Sequence, residues 1–472
     1  MPTEAKIESG SFRDRDSRVV LAGGSVYRVL SERGAADWRA LKASPLLERA
    51  VAEGSLIGTE EADPSDLGPG AERVLPDGVS TVLRHERIPF VSYPYEWTFG
   101  MLRDAALLQL DLELAALEAG LTLKDATPYN VQFRGSEPVF IDVGSFEQLR
   151  EGEPWAGYRQ FCMLYLYPLL LQAYKEIPFQ PWLRGSIDGI TPREAARFFG
   201  FRDRFRKGVF THVALHARLE GRYEEREGGD VKEDLKKANF KTAYVKANLT
   251  RMRKLVAGLS WKSGDTAWTG YRDENTYTDA DAERKQAFVR EAAAARRPEL
   301  VWDMGCNDGA YSRIAAESAA RVVAFDYDHA TVEALYRSLR ADGNREILPL
   351  VGNLADPSPG LGWRGLERRR LEDRGRPDLI LALALIHHVS ITANVPIADF
   401  LDWVRELGAA AMVIEFPKRE DPMVRRLLSG KREGSNSDYE LETFERELGR
   451  RFEINRSEEL PSGTRVLYQV HS

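Results

Sequence analysis

The C-terminal half of this 472-residue chain is predicted to form a doubly wound α/β domain, preceded by an α+β domain. After Lys241, short apolar runs alternate with helical patterns, and several of these runs are hydrophobic throughout. This is typical of a parallel sheet that is covered on both faces. Before that point, a strand pair is followed by a long helix, two short strands and a further apolar helix.

Composition limits the classes of function. The chain is too long for one ordinary core, so we expect two or three domains. Its net charge of −7 argues against a dedicated nucleic-acid binder, and its 43% hydrophobic residues are typical of globular proteins. The two cysteines, Cys162 and Cys306, suit a reducing compartment, and the polar N-terminus has no signal-type segment. We therefore expect a cytoplasmic protein.

The N-terminal domain is predicted over residues 1–225, with a charged, glycine-containing linker at 226–240. Its first element is a β-hairpin in "SRVVLAGGSVYRVL", which turns at Gly23-Gly24. A long helix in "TFGMLRDAALLQLDLELAALEAG" has Gly120 as its C-cap. The run "FCMLYLYPLLLQAY" contains Pro168 and is shorter than a membrane span, so we predict a buried helix.

The C-terminal domain is predicted over residues 241–472. Its strand candidates are "ELVWDMG", "RVVAFDYD", "REILPLVGNL", "PDLILALALIHH", "AAAMVIEF" and "RVLYQVH". In such a sheet, a ligand lies beyond the carboxyl ends of the strands, near the first strand-to-helix turn.

The first such turn lies in "VWDMGCNDGAYS", where three residues separate Gly305 from Gly309. A dinucleotide-binding turn needs G-x-G-x-x-G, whose middle glycine lets the backbone approach a pyrophosphate. Asn307 stands at that middle position and Asp308 follows it, so a carboxylate would face the negative pyrophosphate. We therefore expect a ligand with a positive centre and no phosphate.

S-adenosylmethionine (SAM) meets this expectation, because it carries a sulfonium and an ammonium group. Asp303, two residues before Gly305, can attract these charges directly or through water. Asp326 ends the next strand, where a carboxylate can accept hydrogen bonds from both ribose hydroxyls. Asn353 ends the following strand and is placed to meet the adenine edge.

Together, "DMGCNDG", "AFDYD", "VGNLADP" and "LALALIHH" resemble a class I SAM-dependent methyltransferase. More narrowly, "GNLADPSPGLGW" and "EFPKREDPMV" are similar to methyltransferases of the host-specific nodulation-protein type. The resemblance implies a Rossmann-like fold that holds SAM with Asp303, Gly305, Asn307, Gly309, Asp326 and Asn353. Tyr277, before a helix, either closes over the cofactor or packs that helix. The alternative to the resemblance is an α/β domain whose acids only cap helices.

His387 and His388 follow the fourth strand, where the resemblance places residues that face the transferred methyl group. An imidazole there can remove a proton from an acceptor hydroxyl, since its pKa is near neutrality. The alternative, that the pair shapes the pocket by packing and hydrogen bonding, is favoured over direct catalysis. Within the pair, His387 is the candidate base. The spacing of His387, His388 and Glu415 does not support a metal site.

The N-terminal domain contains an acid pattern found in phosphoryl-transfer enzymes. Asp125 and Asn130 in "LKDATPYNVQF" are separated by four residues, and Asp142 follows in "FIDVGSF". In protein kinases the first Asp of this spacing orients the nucleophile, while the Asn and the later Asp hold magnesium. The domain resembles kinase-like folds, particularly small-molecule phosphotransferases, with "FVSYPYEW" near the interlobe hinge. The alternative is the ordinary turn chemistry of Asp and Asn.

This kinase-like domain differs from an active kinase in its positively charged side chains. None of the lysines before Leu170 lies on a predicted strand, where a kinase places its phosphate-binding lysine. Arg28 in "SVYRVL" is the nearest substitute, although a guanidinium is not interchangeable with an ammonium. We favour a pseudokinase that binds nucleotide or substrate. An active site would use ATP and Mg²⁺, with the metal on Asn130 and Asp142.

The sequence thus predicts a two-domain enzyme that transfers a methyl group from SAM to a small-molecule acceptor, without a nucleic-acid or membrane partner. Transfer would proceed by in-line attack on the methyl carbon, helped mainly by positioning and by exclusion of water. One alternative is a bifunctional kinase–methyltransferase, which the retained metal-binding acids favour. The other is a regulatory module in which cofactor binding controls a partner. The sequence leaves the acceptor and the oligomeric state open.

Overall fold

The first part of the chain forms a five-stranded antiparallel sheet with the order β1-β2-β3-β5-β4. The computed structural model describes residues 4–75, 81–224, 241–262, 278–432, 434 and 436–472, and the predicted linker at 226–240 lies outside them. The strands of this sheet are β1 (Lys6–Ile7), β2 (Ser17–Ala22), β3 (Ser25–Leu30), β4 (Thr59–Ala62) and β5 (Thr81–His85).

The predicted hairpin is confirmed. Ala22 of β2 pairs with Ser25 of β3, and Gly23 and Gly24 turn the chain between them with φ of +56° and +82°. Residues with a Cβ rarely adopt these angles, which explains the two glycines. Three helices follow β3 along the chain before β5: α1 (Glu32–Ala43), α2 (Pro45–Ala52) and α3 (Ala71–Val74).

The middle of the chain is mostly helical. The predicted long helix is α4 (Phe99–Glu118), which begins where Thr98 Oγ1 accepts the Met101 N–H and ends before Gly120, whose φ is +73°. Two strand pairs follow it: β6 (Leu121–Leu123) with β9 (Phe146–Gln148), and β7 (Val131–Arg134) with β8 (Glu137–Phe140). The remaining helices of this region are α5 (Tyr158–Phe161), α6 (Tyr167–Lys175), α7 (Gln180–Gly185), α8 (Pro192–Phe198), α9 (Leu215–Glu224) and α10 (Thr242–Ala257).

The apolar run around Pro168 is a buried helix, as predicted. α5 continues into α6 through a π-helical stretch, Cys162–Leu166. Pro168 lacks an N–H and cannot complete the α-helical hydrogen-bond pattern, which fits the wider turn before it. No helix among the described residues is both long and apolar enough to cross a bilayer.

The second part of the chain forms a seven-stranded sheet with the order β12-β11-β10-β13-β14-β16-β15. The first five strands in this order are parallel, and β16 pairs antiparallel with β14 and β15. The strands are β10 (Leu300–Met304), β11 (Arg321–Asp326), β12 (Ile347–Val351), β13 (Leu379–Ala382), β14 (Ala411–Pro417), β15 (Glu453–Glu459) and β16 (Arg465–His471). The antiparallel strands β15 and β16 differ from the parallel sheet that was expected. β15 was not predicted, because its mostly exposed residues form no apolar run.

Both faces of the parallel strands are buried, as their continuous hydrophobicity predicted. Val301 of β10 joins a core with α11 and α12, whereas the next residue, Trp302, joins a second core on the opposite face. The helices of this part are α11 (Asp279–Arg296), α12 (Ala310–Ala316), α13 (His329–Ala341), α14 (Ile397–Glu406), α15 (Pro422–Ser429) and α16 (Leu441–Gly449).

The N-terminal half completes one face of this sheet. The Phe90 ring lies edge-on to Trp302 of β10 and Phe325 of β11, with centroid distances of 5.8 and 6.1 Å. A crossover between parallel strands usually carries an α-helix that covers the sheet. Between β12 and β13, however, the helical segments are only the short 3₁₀ turns Trp363–Gly365 and Leu371–Asp373. N-terminal residues therefore supply a layer that this crossover lacks, and one hydrophobic core spans both halves.

A buried ion pair also joins the halves. The Arg374 guanidinium donates to both carboxylate oxygens of Glu96, each at 2.6 Å, and neither side chain is more than 5% exposed. Ser358 Oγ and the Tyr93 N–H donate to the same carboxylate. Both oxygens of this buried acid are thus paired, so polar groups as well as apolar packing specify the contact.

Candidate functional site

The carboxyl ends of the parallel strands meet at the edge where the strand order reverses, between β10 and β13. In doubly wound sheets, ligands bind in the crevice at this point. Asp303 lies in β10 and Asp326 ends β11, while Asn353 follows β12 and His387 follows β13. The structure therefore places the described members of the predicted cofactor site, and the histidines, along one edge of one sheet.

The turn after β10 adopts left-handed backbone conformations three times. Gly305, Asn307 and Gly309 have φ of +83°, +50° and +79°. A Cβ at Gly309 would lie 2.6 Å from a Leu335 methyl carbon, so this glycine lets α13 pack closely. A Cβ at Gly305 would make only ordinary contacts, the nearest at 3.5 Å from Leu385 Cδ1. Its absence leaves room for a ligand beside the backbone.

Asp326 links this turn to β11. Its carboxylate accepts the Asn307 N–H at 2.8 Å and the Asp328 N–H at 2.9 Å. Burial raises the pKa of Asp326, and the two backbone hydrogen bonds oppose that rise. Because a carboxylate has about four lone pairs, these bonds leave it able to accept ligand hydroxyls as well. The arrangement fits a ribose with two adjacent hydroxyl groups.

Asp303 lies beneath the turn and is 1% exposed. Ser312 Oγ donates to its carboxylate at 2.6 Å. Burial, more than any other cause, raises the pKa of Asp303 to about 6. A carboxylate at this depth acts on a cationic ligand through its charge.

The sequence analysis also placed Asn353 and Tyr277 at the cofactor site. Asn353 is exposed after β12, and its Oδ1 accepts the Ala355 N–H at 3.0 Å. Its side chain thus shapes the turn at the strand end where adenine was expected. Tyr277 lies outside the described residues.

His387 and His388 lie next to each other after β13, with ring centroids 4.2 Å apart. His387 is fully buried, and within the described structure neither of its ring nitrogens has a hydrogen-bond partner. Burial lowers the pKa of His387 well below its usual value and that of His388 to about 4. Both imidazoles are therefore neutral near pH 7, but their pKa values lie below the near-neutral value that was expected of a catalytic base, because burial disfavours the charged form.

A buried ion network that the sequence analysis missed lies close to His387 and helps to lower its pKa. Lys285 Nζ of α11 lies 2.6 Å from the Glu415 carboxylate, and Arg465 lies 3.2 Å from Glu415 and 2.7 Å from Asp421. None of these side chains is more than 2% exposed. Charged residues next to or within apolar runs, such as Glu415 in "MVIEF", were the available signal, because buried charges need partners.

The histidine pair was also considered as a metal site together with Glu415. In the part of the chain that is described, no group of three or more His, Cys, Asp and Glu side chains could hold a metal ion. Glu415, the one acid considered with the histidine pair, is instead in ion pairs with Lys285 and Arg465.

The acid pattern of the N-terminal half also comes together. Asn130 Nδ2 donates to the two oxygens of Asp125 at 3.1 and 3.2 Å, and Ser145 Oγ donates to the same carboxylate. Burial, followed by the nearby Asp142 carboxylate, raises the pKa of Asp125 to about 6. Asp125 thus lies in a cluster with Asn130 and Asp142, while Ser145 was not anticipated.

Arg28 reaches this cluster from β3. Its Nη1 lies 2.7 Å from Asp142 Oδ1, and it also donates to Ser17 Oγ at 2.6 Å. The Arg28 and Asp142 side chains are 8% and 18% exposed. Sequence analysis identified Arg28 as the substitute for a lysine but not its ion pair with Asp142. One of the two groups considered for magnesium is therefore already paired with a cation of the chain.

No protein-family model matches the chain. The chain is similar to the nodulation protein NoeA of Rhizobium meliloti strain 1021, with 35% identity over 463 residues. The similarity covers 98% of this chain and 95% of that protein.

Several solved structures are similar to part of the chain, including the two that follow. The N-methyltransferase NodS from Bradyrhizobium japonicum WM9 is 12% identical, with a TM-score of 0.31, over 41% of this chain and 97% of NodS. The magnesium protoporphyrin IX methyltransferase ChlM from Synechocystis PCC 6803 with bound SAM is 16% identical, with a TM-score of 0.29, over 48% of this chain and 91% of ChlM. Counted from β10, the parallel strands of this chain read 3-2-1-4-5, which is the Rossmann order.

Proposed function

The chain belongs to the family of the nodulation protein NoeA and carries an α/β domain with the Rossmann strand order, and from this premise we propose that it transfers the methyl group of SAM to a small-molecule acceptor. One observation carries the proposal. A turn without G-x-G-x-x-G closes onto the Asp326 carboxylate at the edge where the strand order reverses. Such a site suits a ligand with ribose hydroxyls and a positive centre, and it disfavours a pyrophosphate.

Each residue at this edge has a proposed task. SAM, when bound, supplies an activated methyl group. Asp326 accepts the ribose hydroxyls, and the backbone at Gly305 leaves room for close approach. Asp303 lies below and provides negative charge for the cationic part of the cofactor. Asn353 contacts the adenine edge from the end of β12.

The acceptor side is proposed to lie against His387 and His388. A neutral His387 can take the proton that an acceptor hydroxyl loses, and its ring nitrogens have no partner among the described residues. If His387 is this base, His387→Ala should lower methyl transfer by about 10²–10⁴ with little change in SAM affinity. A matching loss of SAM affinity would instead assign His387 to the wall of the cofactor pocket.

Calorimetry with SAM and the full-length protein tests the proposal directly. We expect saturable binding with one site, and competition by S-adenosylhomocysteine. Transfer is then followed with methyl-labelled SAM and a small-molecule extract, which also identifies the acceptor. A folded protein that binds neither compound would exclude the methyltransferase assignment. Binding without any labelled product would favour the regulatory-module alternative.

A second candidate function concerns the N-terminal half, for which we propose a kinase-like fold with weak nucleotide binding. An antiparallel sheet precedes the long helix α4, and the segments between the strands that follow contain Asp125, Asn130 and Asp142 in kinase order. Arg28 stands on the third strand, where a kinase has its lysine, and pairs with Asp142. Magnesium would have to share or displace this ion pair, so we expect slow phosphoryl transfer or none.

Thermal unfolding of the full-length protein with ATP, with and without Mg²⁺, tests this second candidate. At 100 times its dissociation constant a ligand stabilises a fold by about 2.7 kcal/mol, which is visible in a melting curve. Asp142→Asn should abolish the magnesium-dependent part of the shift. An unchanged melting temperature at every concentration would remove ATP from the proposal, and rapid phosphorylation of a small molecule would make the protein bifunctional.

A further inference from the structure

Three phenylalanines protrude from the helical region between α8 and α9. Phe201, Phe205 and Phe210 are 72%, 81% and 58% exposed. The Phe201 and Phe205 rings contact each other edge-to-face at 5.9 Å between centroids. Large aromatic side chains of soluble proteins are mostly covered, so a cluster this exposed indicates an interaction surface.

Basic residues surround these rings. The aromatic–basic surface, as we call it, consists of the three phenylalanines and the exposed side chains Arg202, Arg204, Arg206 and Lys207. From position 193 to 207 the sequence has six basic and two acidic residues, a local charge of +4, whereas the whole chain carries −7. The surface thus has the opposite sign to the protein that carries it.

Hydrogen bonds and an ion pair on its inner side fix the turn that carries this surface. Its buried acid, Asp203, accepts the Gly200 N–H at 2.7 Å and Lys175 Nζ at 2.6 Å. Arg206 donates to the Tyr174 carbonyl at 3.0 Å, and the Tyr174 hydroxyl donates to the Lys207 carbonyl at 3.1 Å. The acid therefore faces inward and the phenylalanines face outward in a fixed arrangement.

We propose that the aromatic–basic surface docks the protein on an anionic lipid membrane. The phenylalanine rings would enter the boundary between headgroups and acyl chains, and the arginines and Lys207 would contact lipid phosphates. Charge complementarity supports this occupant, since the local charge is positive while the whole chain is negative. The sequence analysis expected no membrane partner because it considered only spanning segments, and peripheral docking needs none. The proposal does not depend on methyl transfer.

Flotation of the full-length protein with lipid vesicles tests the proposal. The vesicles are either phosphatidylcholine alone or equal parts of phosphatidylcholine and phosphatidylglycerol. We expect flotation with the anionic vesicles, little with phosphatidylcholine, and loss of binding at high salt, where headgroup charges are screened. No flotation with either vesicle would overturn the proposal.

Two variants and two controls test whether the aromatic–basic surface makes the contact with the vesicles. The double variant Phe201→Ser, Phe205→Ser should bind at least about tenfold more weakly, because it loses the buried apolar area. Arg202→Glu with Arg204→Glu should abolish binding to anionic vesicles. Ile454→Ser, at a 38% exposed position on β15, and Arg450→Glu, directly after α16, should bind as the wild type does.

Chromatography with light scattering tests a second copy of the chain as the other occupant of this surface. If the wild type is a dimer and the phenylalanine variant a monomer, the surface is an interface between copies of the chain, and the membrane proposal is wrong. If the controls lose vesicle binding as fully as the variants do, the attraction is not localised at this surface and the proposal also fails. Unchanged circular dichroism and melting of each variant show that folding is not the cause.

Discussion

Each half of the molecule places a pair of aspartates at the ends of strands, but the two pairs are satisfied differently. In the N-terminal half, Asp125 accepts side-chain donors from Asn130 and Ser145, and Asp142 is paired with the Arg28 cation. In the C-terminal half, Asp326 accepts backbone N–H groups from its own strand end and from the turn of β10.

This difference indicates at which of the two aspartate pairs a ligand is expected. A cation that already contacts a carboxylate competes with any metal that would bind there, since only one of them can neutralise it fully. Backbone N–H groups fix the position of a carboxylate without neutralising its charge. Asp326 is thus able to accept ribose hydroxyls, whereas Asp142 is already neutralised by a cation of its own half.

The largest effect on stability is expected at the buried ion pair that joins the two halves. Glu96→Ala leaves the buried Arg374 without its carboxylate, which should cost about 3–5 kcal/mol of unfolding free energy. Urea denaturation, followed by fluorescence and circular dichroism, measures it. Because one core spans both halves, we expect them to unfold in one transition.

Glu317→Ala is the matched control, since it removes an exposed ion pair with Arg290 and should cost less than about 1 kcal/mol. Two separate transitions in the wild type, of which Glu96→Ala shifts only one, would show that the halves are independent units.

A smaller effect is expected from removal of the carboxylate that we propose as the ribose ligand. Asp326→Ala should weaken SAM binding by about one to two decades, because charged hydrogen bonds of this kind contribute roughly 1.5–3 kcal/mol. Calorimetry measures the affinity, with Asp342→Ala at the exposed end of α13 as control. If Asp142→Ala weakened SAM binding as much as Asp326→Ala does, the contrast between the two pairs would be lost.

The Arg28–Asp142 ion pair should matter for stability and not for SAM. Arg28→Met removes the partner of a mostly buried carboxylate and should cost about 1–3 kcal/mol. Arg28→Lys keeps the charge and should cost less, although it loses the planar geometry of the guanidinium. Urea denaturation gives the stability of both variants, and calorimetry their SAM affinity. If Arg28→Met were as stable as the wild type, the ion pair would not stabilise the N-terminal half.

Much of the C-terminal fold could be predicted from sequence, because buried parallel strands form apolar runs that stand out from their neighbours. The same reasoning failed at β15, whose side chains are mostly exposed, and at the crossover after β12, where a helix is replaced by the N-terminal half. That replacement depends on contacts such as Phe90 with Trp302, which no local pattern encodes.

The candidate site, like the fold, could be predicted only in part from the sequence. Asp303 and Asp326 could be placed because each belongs to a strand whose carboxyl end lies at a known edge of the sheet. The pairing of Arg28 with Asp142, and of Lys285 with Glu415, joins residues far apart in the sequence. Only the folded chain brings these charges together, so sequence reasoning could name Arg28 but not its partner.

The smallest expected effect compares two aspartates with the same raised pKa. Burial raises the pKa of both Asp303 and Asp125 to about 6, so each takes up a proton as the pH falls through that value. A cationic ligand favours the ionised carboxylate, so SAM affinity should rise from pH 5 to pH 7 and then level off. At pH 5, one unit below that pKa, protonation of Asp303 should cost up to about tenfold in affinity. Calorimetry at several pH values gives the curve.

Asp303→Asn should bind SAM more weakly at pH 7 and should flatten this rise, because no charge then appears beneath the turn. Asp125→Asn provides the control, since its carboxylate has the same pKa but lies in the other half. It should leave the pH dependence of SAM binding unchanged. It should also stabilise the fold above pH 6, because an acid whose pKa is raised on folding loses stability as the pH rises through that value. Urea denaturation at pH 5 and pH 7 measures that gain. A pH curve that Asp125→Asn flattens and Asp303→Asn does not would place the charge that attracts SAM in the N-terminal half and reverse the comparison.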